Sequence, residues 1–159
     1  MEAVAALGAA AGYVLAQIPP YHNRAKGKAS VLVLGCIDPR FSNDLAWYLT
    51  HCMKLHADYD LITMAGAEVG VFHSECWKEM FLQHIDLAIK LHGISEIWCF
   101  SHLDCGMYKA ALGLDKDDKP QVHLEQMGKL RNLLAEKYPQ LGFLGHIISV
   151  SGHIEVVQN

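Results

Sequence analysis

At 159 residues the chain has the length of a single domain and enough of it to bury a core without disulfide staples. Its 13 basic against 17 acidic residues give a net charge of −4, and neither sign gathers in a long block, which excludes the electrostatic footprint of a nucleic-acid binder. The five cysteines are odd in number and not spaced as a secreted disulfide framework, which points to the cytoplasm or another reducing compartment.

Residues 1–18 are rich in alanine and apolar side chains, too short to span a membrane, and begin with acidic Glu2 rather than the positive charge of a secretory signal. They predict an N-terminal helix closed by Pro19-Pro20. With the basic connection up to Lys28, this segment is expected to contact a partner subunit, leaving residues 29–159 as the core of one domain.

From Ser30 to Gly35 a β-branched run, apolar on both faces, predicts a central parallel strand. Ser42-Asn43-Asp44 offers helix caps, and Leu45, Tyr48, Leu49, Cys52 and Leu55 follow at helical spacing. Tyr59 to Met64 reads as a second strand, stopped by the small residues Ala65-Gly66-Ala67. Ser74 is placed to cap a long helix that Gly93 ends. The remaining expectations are a strand over Glu96–Ser101, a short helix over Met107–Leu114, a helix over Gln121–Tyr138 stopped by Pro139, a strand over His146–Val150 and a last short strand at Ile154–Val157. Such alternation predicts an α/β fold: a mostly parallel sheet of about four strands plus a short antiparallel C-terminal edge strand, with helices packed on it. If strands two and three flank strand one, a crevice opens at the carboxyl ends of strands one and three.

Two motifs end those strands. Cys36-Ile37-Asp38-Pro39-Arg40 follows the first, and His102-Leu103-Asp104-Cys105-Gly106 follows the third. Two thiols and an imidazole suit Zn²⁺ better than Mg²⁺ or Ca²⁺, and three protein ligands leave a fourth position for a water whose pKa falls to about 7. Asp38 and Arg40, two apart on an extended exit, project from one side and can pair, so that Arg40 orients the Asp38 carboxylate toward the nucleophile. The bland alternative is a surface turn with a local ion pair.

These motifs resemble the Cys-x-Asp-x-Arg and His-x-x-Cys-Gly motifs of the β-class carbonic anhydrases, with Ala65-Gly66 where that family carries Ala-Gly after its second strand. The resemblance implies a zinc enzyme that hydrates CO₂ to bicarbonate and a proton, with Cys36, His102 and Cys105 as ligands and Asp38 and Arg40 as the catalytic dyad. It also implies a homodimer or larger homo-oligomer, and in some members the Asp swings onto the zinc in a closed, inactive form. Met64, Ala65, Gly66 and Gly106 are the expected substrate pocket. Thr63-Met64 replaces the family's Arg-Asn and Ser101 its Gly, and no clear counterpart of its upstream Gln is found near Gly27 and Lys28. These departures predict a more apolar pocket, with weaker bicarbonate binding or a preference for COS or CS₂.

A catalytically silent zinc module serving assembly is the alternative outside enzymes, and a cysteine nucleophile acting without metal the alternative within them. Cys52, Cys76 and Cys99 read as core residues, and no other histidine stands out as a proton shuttle.

Overall fold

A computed structural model describes residues 27–114 and 119–157, together with two short strands, β1 (Ala6–Leu7) and β2 (Val14–Leu15), that pair antiparallel. The helix expected over residues 1–18 is not formed at these four residues, which are extended and paired, and its other positions lie outside the described residues, as does most of the charged loop before Pro120.

The main sheet has five strands: β3 (Val31–Cys36), β4 (Tyr59–Met64), β5 (Glu96–His102), β6 (Gly142–Ile148) and β7 (Ile154–Val157). Their order is β4-β3-β5-β6-β7, parallel throughout except for β7, which runs antiparallel along β6. This is the expected α/β sheet with its antiparallel C-terminal edge. β3 is central, and its side chains alternate between two buried layers, as a strand covered on both faces must. Leu32 and Leu34 join Phe81, Ile85, Met127 and Leu130 under helices α3 (Glu75–His92) and α5 (Pro120–Lys137). Val31 and Val33 join Phe41, Leu45, Leu49, Trp98 and Phe100 under α1 (Ser42–Trp47) on the other face.

Local chemistry accounts for both ends of α3 and the start of α5. The Ser74 hydroxyl accepts from the Trp77 N–H at 3.2 Å and starts α3, Gly93 in the left-handed region ends it, and Pro120 occupies the first turn of α5. Three expectations are corrected. The N-cap position of the first helix is taken by Phe41, with no side-chain cap, rather than by one of Ser42-Asn43-Asp44; the Leu45 N–H bonds the Phe41 carbonyl at 2.9 Å and the Phe41 ring is buried against His102. That helix does not run on to Leu55. It widens into a π turn over Tyr48–Cys52, and the Met53 N–H reaches the Tyr48 carbonyl at 3.0 Å, while Leu49 stays fully buried. The fourth parallel strand starts four residues before His146 and stops before Ser149. Gly142 and Gly145 hide it from a propensity reading, and at Gly145 the Met127 sulfur occupies the space where a Cβ would stand, 2.7 Å away.

Helices α2 (Glu68–Val71) and α4 (Gly106–Leu112) complete the described elements. Both begin just beyond strand ends, next to the crevice. Among the described residues no helix is long and apolar enough to cross a membrane.

Candidate metal centre

β4 and β5 lie on opposite sides of β3, so the chain reverses its direction of travel between them and the carboxyl ends of β3 and β5 frame a switch-point crevice. Cys36 ends β3, His102 ends β5, and Cys105 follows one tight turn later, with Asp104 in the left-handed region at φ 61°. Their candidate ligand atoms all lie within 4.8 Å of one another.

The donor set fits one tetrahedral ion. The two sulfurs are 4.0 Å apart, and two thiolates on one zinc stand roughly 3.8 Å apart when each bond is about 2.3 Å. His102 Nδ1 lies 2.9 Å from the Leu103 carbonyl, so that nitrogen carries the proton and donates. Nε2, buried and without a conventional hydrogen bond, is left facing the thiols. Phe41 stacks on the imidazole at 4.3 Å and holds its plane. These three residues could hold a metal.

Electrostatics prepare the same ligands. Hydrogen bonding from the Cys105 thiol is the main cause that lowers the Cys36 pKa, helped against burial by His102 and by the Gly66 N–H, which reaches the sulfur at 3.3 Å. The proton kept on Cys105 has its pKa raised by the Cys36 sulfur and by burial. Burial opposes charge on His102, but the nearby Cys36 sulfur and the hydrogen bond to the Leu103 carbonyl carry its pKa above the ordinary value. Gly66 itself sits at φ 75°, and a Cβ there would lie 2.5 Å from Val69 and 2.8 Å from Met107. Only glycine presents its N–H to Cys36 in this way.

Asp38 and Arg40 form a two-pronged pair beside the cluster. Arg40 Nε donates to Asp38 Oδ1 at 3.0 Å and Nη2 to Oδ2 at 2.8 Å, and these bonds hold the Asp38 pKa down at about 2. Asp38 Oδ2 lies 3.8 Å from His102 Nε2, at the rim of the ligand set. The far side of the guanidinium bonds the carboxylate and carbonyl of Asp104, at 3.3 and 3.2 Å, and Lys109 pairs with Asp104 in turn.

A cavity of about 100 Å³ opens beside Cys36 and His102, lined mainly by Phe41, Leu45, Leu49, Phe100 and Ile148, with Thr63 at its wall. Of the four residues expected to form the pocket, Gly66 supports Cys36 and Gly106 is an exposed first residue of α4. Ala65 is half-buried at the end of β4, where the Met64 carbonyl bonds the N–H groups of Ile37 and Ala67. The Met64 side chain packs into the core under α3, and Thr63 faces the cavity in its place.

Sequence reading missed a polar chain buried behind the ligands. The Cys99 thiol and the Tyr108 hydroxyl both donate to the Glu68 carboxylate, the first at 3.3 Å. Ser101 donates to Tyr108 at 3.4 Å, and His123 Nδ1 meets the Ser101 oxygen at 2.5 Å. The one available signal was a lone carboxylate in the small and apolar stretch from Ala65 to Val71. Of the cysteines expected in the core, Cys99 is buried, whereas Cys52 and Cys76 are exposed.

Residues 26–158 match the model of a family described as "Putative carbonic anhydrase". An uncharacterized protein of Rickettsia bellii is 25% identical over 150 residues, covering 91% of each chain. Among solved structures, carbonic anhydrase from Streptococcus mutans superposes with a TM-score of 0.55 at 20% identity, over 82% of this chain and 84% of that one. Carbonic anhydrase from Glaciozyma antarctica gives 0.56 at 20% identity, over 83% of each chain.

Proposed function

Since the chain belongs to this carbonic anhydrase family, we propose that it binds Zn²⁺ through Cys36, His102 and Cys105 and catalyses the reversible hydration of CO₂ to bicarbonate and a proton. The observation that carries the reading is the convergence of these ligand atoms within 4.8 Å, with Asp38 Oδ2 at 3.8 Å from His102 Nε2. Zinc in a three-ligand site supplies a water acidic enough to act as nucleophile near neutral pH.

The protein's own groups account for the rest of the step. Asp38 stays ionised because Arg40 holds both its oxygens, so it accepts a hydrogen bond and orients the attacking oxygen. In this reading Arg40, by holding both oxygens, keeps that carboxylate from taking the fourth position itself. The apolar cavity beside His102 has room for a small linear molecule. Zinc content with stopped-flow CO₂ hydration tests the reading. A zinc-loaded protein no faster than buffer at about pH 8 to 9, where deprotonated nucleophile should dominate, refutes it. The same wall of Phe41, Leu45, Leu49 and Phe100 favours COS or CS₂ as a second substrate reading, which sulfide release separates from the first.

We also infer a homodimer. The described part of β4 pairs only with β3, and exposed Leu61 on it lines one surface groove with exposed Leu87 and Leu91 of α3. A continuous apolar edge of this kind suits a second copy, and a monomeric mass by light scattering at micromolar concentration would exclude it. Two ligands that must stay reduced suit a cytoplasmic or other reducing location.

A further inference from the structure

The polar chain behind the metal centre runs one way. His123 Nδ1–H donates to Ser101, Ser101 to Tyr108, and Tyr108 to Glu68, which also accepts from Cys99. Glu68, Tyr108 and His123 have no exposed surface and Ser101 has 2%, so no substrate reaches this serine and histidine. Burying a carboxyl group is costly, and an apolar side chain of similar size would fill the space at lower cost. Its role lies in what it joins.

It joins the supports of all three ligands. Glu68 opens α2 two residues after Gly66, whose N–H bonds Cys36, and the Val69 N–H locks onto the Gly66 carbonyl at 3.1 Å. Tyr108 and Met107 present backbone N–H groups to the Cys105 sulfur, while the Tyr108 hydroxyl reaches Glu68. Ser101 precedes His102 on β5 and points to the opposite face of the sheet, so its bond to Tyr108 fixes the last turn of that strand. The intervening backbone is strained: Gly66 is followed by Ala67 at φ 46°, and Asp104 at φ 61° separates the other two ligands. Such conformations persist only where anchors on both sides impose them.

We propose that Glu68 and Tyr108 are positioning residues, whose hydrogen bond locks the Gly66 and Tyr108 backbone donors, and so the two cysteine ligands, into metal-binding geometry. The inference rests on the metal reading above. It is tested with Zn²⁺ and Co²⁺ as probes on the full-length protein, measuring zinc affinity by competition with a chromophoric chelator and the thiolate-to-cobalt absorption band. Tyr108→Phe is expected to weaken zinc binding by roughly 10–100-fold, the range seen when groups supporting metal ligands are removed, and to diminish the cobalt band. Glu68→Gln, which keeps an acceptor for Tyr108, is expected to stay close to wild type in both. Ser101→Ala removes only the side branch and should give a several-fold loss; it serves as the reading if Tyr108→Phe fails to fold. Wild-type zinc affinity in folded Tyr108→Phe, even with a lowered Tm, overturns the inference, as does wild-type affinity in Ser101→Ala should the other variant not fold. A wild-type protein without a cobalt–thiolate band overturns the metal reading itself, an outcome distinct from intact binding that the variants leave unchanged.

Discussion

His146 of β6 lies fully buried with its ring stacked on Phe100 at 4.0 Å and edged by Tyr48 and Trp98. Desolvation in this aromatic nest lowers its pKa to about 4. The folded value lies below the unfolded one of about 6.5, so the neutral ring's contribution is complete above pH 6.5 and is lost as pH falls toward 4, by about 3 kcal/mol at most. Urea unfolding at pH 7 and pH 4.5 is therefore expected to show a larger acid loss for wild type than for His146→Phe; equal losses would contradict the assignment. At this scale the ligands were legible because thiols and imidazoles at strand ends are chemically conspicuous. Met64 was not. Side chains alternate along β4, and which of Thr63 and Met64 faces the cavity depends on how the strand meets its two layers, which no single strand's sequence specifies.

The junction between β4 and α2 shows how an element can be set by a single residue. Gly66 at φ 75° turns the chain so that its N–H meets Cys36, and the space where a Cβ would go is filled by Val69 and Met107. Gly66→Ala must strain the backbone and push both neighbours aside, at about 2 kcal/mol or more. For a chain of this size that lowers Tm by roughly 4–8 °C, read by thermal unfolding, and zinc per protein should fall with it. A variant that retains both Tm and zinc would show that the turn tolerates a side chain. Strands β3, β4 and β5 and helices α3 and α5 follow from runs and periodicity strong enough to read directly. The π turn after α1 and the four-residue α2 do not, since each is settled by the burial of Leu49 or Glu68 against distant elements rather than by local propensity.

For the molecule as a whole, the crevice exists because β3 is flanked by the two strands that follow it in the chain, β4 on one side and β5 on the other, a reversal of winding whose crossovers cover both faces of the sheet. Metal bound there touches the ends of two central strands at once, so its binding energy is linked to the stability of the entire sheet. A ligand that binds only the native state adds about 2.7 kcal/mol at 100 times its Kd. Zinc at that level should raise Tm by roughly 5–11 °C over protein stripped with a chelator, using about 2–4 °C per kcal/mol. Cys36→Ser should lose most of this shift, because one of the three ligands is gone and the chain must pass through the same crevice without it. Asp38→Ala should keep the shift while losing CO₂ hydration, since Asp38 pairs with Arg40 rather than completing the ligand set. If instead Asp38→Ala hydrates CO₂ no more slowly than wild type, the ion pair is only a surface turn; if neither protein hydrates it while both gain the zinc shift, the centre serves assembly and not catalysis.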